Sequence, residues 1–199
     1  PVLAGTAIIA EAWDAGGLYQ VGSFIGDRFA EWNGHFRDDI RSFVKGDPGM
    51  ALRMGLRVAG SPDLYPRTDR NVHRTVNFIT SHDGFTLNDL VSYNEKHNLA
   101  NGEQNHDGDN DSRSWNCGAE GATKDPSVII LRARQIKNFL TILFMSQGTP
   151  MLLMGDEVRR TQQGNNNAYG QNNPLSWFNW DDVEISAENL RFTRELLHF

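Results

Sequence analysis

The sequence has almost no cysteine. Cys117 is the single one in 199 residues, so an intrachain disulfide framework is excluded and a reducing compartment suits the chain: the cytoplasm or, as the alternative, a plastid. No apolar run approaches the ~20 residues of a membrane span. Positive charge is in deficit, with 19 Lys and Arg against 25 Asp and Glu for a net −6, which argues against nucleic acid or an anionic membrane as the partner. Also missing are the spaced His or Cys pairs of a zinc site, a GxxxxGK[ST] loop to cradle phosphates and the Gly-x-Ser-x-Gly turn of a serine hydrolase. Nothing calls for a cofactor. The remaining composition, 39% hydrophobic and 22% charged, is that of a globular chain, enough for one good core or part of a larger domain. Five Trp and eleven Phe are many for this length. Aromatics near turns suit sugar-binding clefts, although core packing is their usual reason.

Two stretches carry the chemistry. In Thr75 to Phe85, TVNFITSHDGF, the apolar Val76, Phe78 and Ile79 predict a buried strand that stops at His82, Asp83 and Gly84. In Thr6 to Asp14, TAIIAEAWD, a second apolar run ends at Glu11, with Trp13 and Asp14 just beyond. Carboxylates at the carboxyl ends of parallel strands share one face of a sheet or barrel, where α/β folds place their chemistry. The plainer reading of a lone strand-end Asp is a cap for the next helix. A third apolar run, Met151 to Met154, leads into Gly155, Asp156 and Glu157. Asp14 and Asp156 are read as structural, bonding loop amides or nearby arginines.

Between these runs the 3.6-residue spacing predicts helices over Glu31 to Val44, Met50 to Val58, Leu87 to Tyr93, Asp125 to about Met145 and Ser186 to Leu197. In the fourth, Ile129, Ala133, Ile136, Leu140 and Leu143 form the expected buried stripe, with Arg132, Arg134 and Lys137 off it. Ala59 to Arg70 reads as a turn-rich connector, and Asn94 to Pro126 as a loop well beyond the ~12–15 residues usual in a compact domain. Asp107, Asp109 and Asp111 resemble the start of a calcium loop, but Ser112 stands where glycine is needed and Gly118 where a bidentate Glu should be. No metal site is expected. The alternation predicts parallel βα units, with three clear strands and a doubtful fourth. A complete (β/α)8 TIM barrel needs eight strands and ~250 residues, so the expectation is half a barrel. The start at Pro1 is read as a cut rather than a natural terminus.

Two carboxylates across a cleft can hydrolyse a glycosidic bond, one protonating the leaving oxygen and the other attacking the anomeric carbon or activating water. They can instead hold Mg²⁺ for phosphoryl chemistry, which the missing phosphate loop weakens.

Five ordered blocks then carry a specific resemblance: IIAEAWDAGGLYQVGSF, FAEWNGHFRDDIRSFVKGDPGM, VNFITSHDGFTLNDLVSYNEKHNLANGE, SWNCGAEG and QGTPMLLMGDE. Together they resemble the isoamylase and glycogen-debranching branch of the α-amylase family, over nearly the whole chain. The resemblance implies a (β/α)8 barrel, represented here by about strands five to eight. It implies retaining hydrolysis of α-1,6 branch linkages, with a branched α-glucan such as glycogen, amylopectin or a limit dextrin as partner. Glu11 aligns with the family's general acid/base, Asp83 with the Asp that stabilises the transition state, and His82 with the histidine that contacts the sugar beside the cleaved bond. Trp13 and Tyr19 are candidate sugar contacts, weighed against ordinary packing. The family's nucleophile is an Asp in an earlier block of which this sequence holds no copy. The chain alone is therefore expected to be inactive. Val158 and Arg159 depart from the family, which tends to have an aromatic residue and glycine there; Asn172 and Pro174 stand where acidic residues are frequent. The alternative is a non-catalytic glucan-binding relative.

Overall fold

The computed structural model describes residues 4–14, 16–24, 28–65 and 72–199. The expected cut at Pro1 and the end of the Ala59 to Arg70 connector lie outside them. Four short strands form one parallel sheet in chain order: β1 Ile8–Ala10, β2 Phe29–Trp32, β3 Thr75–Asn77 and β4 Thr149–Pro150. Ala10 faces Glu31, Glu31 faces Thr75, and Val76 faces Thr149. The ladder runs slightly past the strands, with Asn33 N–H donating to Val76 O at 2.9 Å and Met151 N–H to Asn77 O at 2.8 Å.

Helices fill the crossovers into β3 and β4, while the described residues between β1 and β2 hold none. β2 leads to β3 through α1 Gly34–Lys45 and α2 Ala51–Val58. β3 leads to β4 through α3 Leu87–Leu90 and α4 Pro126–Met145. After β4 come α5 Asp182–Ile185 and α6 Ala187–His198. Capping fixes the starts of the two long crossover helices. Asn33 Oδ1 accepts Phe36 N–H at 2.9 Å, and Asp125 Oδ1 accepts Ser127 N–H at 2.8 Å with Pro126 at the first helical position.

The core lies where α1, α3 and α4 meet the segment that follows β3. Phe36 and Ile40 of α1, Ile136, Phe139, Leu140 and Leu143 of α4, and Ile79, Phe85, Leu87 and Leu90 form one buried cluster. Each such side chain contributes roughly 1.5–3 kcal/mol relative to exposure.

Several expectations are corrected. β2 was taken as loop and helix start: Glu31 and Trp32 are strand, and α1 begins only at Gly34. A charged residue disguised the strand. Glu31 is fully buried, and three groups satisfy it: Arg74 Nη2 at 2.7 Å, Gly22 N–H at 2.6 Å and the Tyr65 hydroxyl at 3.4 Å. The run Met151 to Met154 is not strand; the pairing falls just before it, on Thr149 and Pro150. On α4, Ile136, Leu140 and Leu143 are buried as expected, but Ile129 is 42% exposed while Arg132 is buried. Arg132 donates to the carbonyls of Gly121 at 2.7 Å, Asn116 at 3.0 Å and Ala119, and so holds the long loop on the helix.

That loop has little regular structure but many anchors. Trp115 N–H donates to Leu90 O at 3.0 Å and Gly121 N–H to Ser92 O at 2.8 Å. The buried Arg41 of α1 donates to Ile79 O at 2.6 and 2.9 Å and to Ser112 O at 3.0 Å. Asn98 exchanges bonds with Asn166, Nδ2 to Oδ1 at 2.8 Å and Asn166 N–H to Asn98 Oδ1 at 2.9 Å. Since Asn166 O in turn accepts Gly84 N–H at 3.0 Å, the loop lies on the side where the chain leaves β3.

Candidate active site

β1 ends at Ala10 and delivers Glu11, exposed, at its carboxyl end. Beyond β3 the chain keeps Phe78, Ile79 and Thr80 buried, then turns outward to expose His82 and Asp83. Gly84 makes that turn in the left-handed region at φ 89°. Since β1, β2 and β3 are parallel neighbours, Glu11 and the His82–Asp83 pair leave the same carboxyl-terminal end of the sheet with one strand between them. His82 Nε2 stands 3.4 Å from Asp83 Oδ2, with side chains 60% and 68% exposed. Among the described residues Glu11 makes no hydrogen bond, so its carboxylate is free.

A chain of rings links the two sides. Trp13 pairs with Tyr19 in an antiparallel bridge and stacks on it, 5.8 Å between centroids and 17° between planes. Trp13 also stacks on Phe78 at 6.5 Å and 22°. Trp32 lies 5.6 Å from Phe78 and 5.7 Å from the His82 ring. Tyr19 meets the His35 ring edge-on at 5.2 Å. Burial and then the charge of Asp38 push the Tyr19 phenol up to about 12, so it remains a neutral donor. Gly34 makes this arrangement possible, because a Cβ there would collide with the Tyr19 hydroxyl.

Four of the five residues picked from sequence are thus brought together: Trp13, Tyr19 and His82 through rings, Asp83 through His82. Glu11 joins them only by its place at the same end of the sheet. Phe78 and Trp32, the middle links, were not anticipated as site residues. Phe78 read as strand core, and Trp32 was hidden by the misread start of α1. The spacing of Trp32 one strand away from His82 leaves no signal in one sequence.

Three further acids bond within turns and loops. Asp14 Oδ1 accepts Leu18 N–H at 3.0 Å and closes the turn that carries Tyr19. Asp156 accepts Leu87 N–H at 2.9 Å and the Thr80 hydroxyl. Burial first of all pushes its carboxyl up to about 7. Asp107 accepts from Asn101 at 2.7 Å and Asn167 at 2.8 Å, bonds that favour its ionised form and hold its pKa below the usual carboxylate range.

No protein-family model matches the chain. Curated relatives match it end to end. It is 55% identical over 200 residues to isoamylase 3, chloroplastic, of Oryza sativa subsp. japonica, covering 100% of this chain and 26% of that protein. It is 53% identical over 196 residues to a glycogen operon protein GlgX homolog of Mycobacterium bovis, covering 98% and 27%. It is 49% identical over 198 residues to a glycogen debranching enzyme of Enterobacter sp. (strain 638), covering 99% and 30%. Among solved structures it resembles a pullulanase from Bacillus acidopullulyticus, with TM-score 0.69 and 20% identity over 99% of this chain and 22% of that one. It also resembles a pullulanase complexed with maltotriose from Anoxybacillus sp. LM18-11, with TM-score 0.70 and 21% identity over 96% and 25%. At that identity these two speak for the fold alone. Among the described residues no helix is long and apolar enough to cross a membrane. The chain therefore spans about a quarter of the length of the curated relatives it matches, and within that span it is a relative of isoamylase- and glycogen-debranching-type proteins.

Proposed function

We propose that the chain is the C-terminal half of a (β/α)8 barrel in a glycoside hydrolase that cleaves α-1,6 branch linkages of an α-glucan. The observation that carries the reading is the pairing of near 50% identity over the whole chain with two exposed carboxylates at one end of the sheet. Glu11 protonates the departing glycosidic oxygen while a carboxylate from outside these 199 residues attacks the anomeric carbon. That forms a covalent glycosyl-enzyme, which water then opens with Glu11 as base. Asp83 stabilises the positive charge that develops on the sugar ring. His82 donates to a sugar hydroxyl beside the cleaved bond, and Trp13 and Tyr19 offer ring faces for sugar stacking. Because Glu11 is exposed in this chain, the burial that tunes a catalytic acid has to come from the rest of the barrel or from the bound glucan.

The test counts reducing ends released from a branched glucan by the full-length protein. Glu11→Gln is expected to lower turnover by several orders of magnitude, since both proton transfers use that group. Asp83→Asn should be severely impaired while glucan binding persists. If wild type binds the glucan but releases no reducing ends, the hydrolase reading fails and a glucan-binding role takes its place.

A further inference from the structure

A cavity of about 460 Å³ lies away from the ring chain, between α3, the loop around Gly121 to Thr123, the start of α4 and the segment Arg159 to Gln163. Its size is that of small-molecule sites. Its lining is unusual for a chain of net charge −6. Two arginines, Arg132 and Arg159, line it and no Asp or Glu does. The neutral donors Asn88, Ser92, Thr123 and Gln163 complete the polar wall.

The two guanidinium groups differ in what they already hold. Arg132 is committed to backbone carbonyls. Arg159 is not. Its Nε and Nη2 both reach one neutral acceptor, Asn88 Oδ1, at a long 3.3 Å, and among the described residues it forms no ion pair. The charge that acts on it most is that of Arg132, which repels. Arg159 also sits at φ 61°, in the left-handed region that favours glycine. The fold thus holds a half-buried arginine, Arg159, in a costly backbone conformation beside another arginine, with no carboxylate in the cavity wall; the charge of Glu120 acts on Arg132 but not on Arg159.

We infer that this cavity binds a phosphate-bearing small molecule, with the phosphate taken by Arg159 and the neutral donors around it. A planar guanidinium offers paired N–H donors that match phosphate oxygens. The buried positive charge of Arg132 adds field without needing to move. A neutral glucan would leave the Arg159 charge uncompensated, so the site is distinct in chemistry from the proposed glucan cleft.

The experiment is calorimetric titration of the full-length protein with glucose 6-phosphate, with inorganic phosphate and with glucose, at low ionic strength. The phosphate-bearing probes should bind and glucose should bind at least tenfold more weakly. Arg159→Gly relieves the backbone strain and should keep or raise the melting temperature while weakening phosphate binding at least tenfold. Asn88→Asp, which hands Arg159 a carboxylate, should weaken it similarly by occupying the guanidinium. Glu11→Gln should leave phosphate binding unchanged, which keeps this result independent of the hydrolase reading. Wild type that binds glucose 6-phosphate no better than glucose overturns the inference, as does full phosphate binding by a folded Arg159→Gly.

Discussion

Asp156 is a strongly perturbed acid that touches no part of the proposed cleft. Burial raises its carboxyl to about 7, against the stabilising bonds from Thr80 and Leu87. A carboxyl raised in the fold binds its proton more tightly there than in the unfolded chain. Its contribution to stability is present below the unfolded value of 3.8 and is lost as pH rises through about 7. Wild type should therefore lose stability relative to Asp156→Asn across that window, by at most a few kcal/mol at ~1.4 kcal/mol per unit. Melting temperatures of the two proteins between pH 4 and 8 check this. Parallel curves would show that Asp156 stays ionised. The case carries a lesson for reading sites. A search by perturbed acidity selects Asp156 and the buried Asp89, which accepts Gln162 N–H at 2.7 Å, two carboxyls that bond chain segments to α3.

At the scale of elements, Arg41 joins three of them. It reaches from α1 to the carbonyl of Ile79 beyond β3 and to Ser112 in the long loop. Burial, and then the like charge of Arg37, lowers its guanidinium to about 10, still protonated at neutral pH. Arg41→Leu would leave those buried carbonyls without donors, each costing about 1–3 kcal/mol. We expect a total loss of roughly 2–5 kcal/mol and at least tenfold faster proteolysis within 94–125. Unchanged cleavage would mean the asparagine network around Asn98 and Asn166 holds the loop alone. None of this was legible in sequence, where the loop read as solvated and Arg132 as lying off the buried face of its helix. Helical periodicity reports apolar burial. It is silent about an arginine buried because it collects backbone carbonyls. The helices themselves were legible to within a few residues, since caps and glycines punctuate them. Of the strands, β1 and β3 were legible in their apolar runs, whereas β2 and β4 were not, because one carries the charged Glu31 and the other is only two residues long.

At the scale of the whole molecule, the sheet has two open edges, β1 and β4. Ile9 in β1 is 54% exposed, and Trp180, Ile185 and Phe199 present further apolar surface. Open edges with apolar surface favour association. We expect the 199 residues produced alone to release no reducing ends from a branched glucan and to sediment as a mixture of assemblies. A monodisperse, active preparation would mean that an exposed acid of this chain, Asp83 or Asp14, performs the nucleophilic attack. The parallel βα order that led to a barrel reading was legible in the alternation of runs. The strand between Glu11 and Asp83 was not, because its centre is the charged Glu31.

The ring chain also equips the protein with its own optical probe. Of its five tryptophans, Trp13 and Trp32 both contact Phe78, whereas Trp177 and Trp180 are already in water. A sugar settling on the first pair strips solvent from two indoles and leaves the other emission unchanged. Glucan occupancy is then a change in intrinsic fluorescence that needs no label and no turnover, and Trp13→Phe and Trp32→Phe divide the signal between the two ends of the cleft.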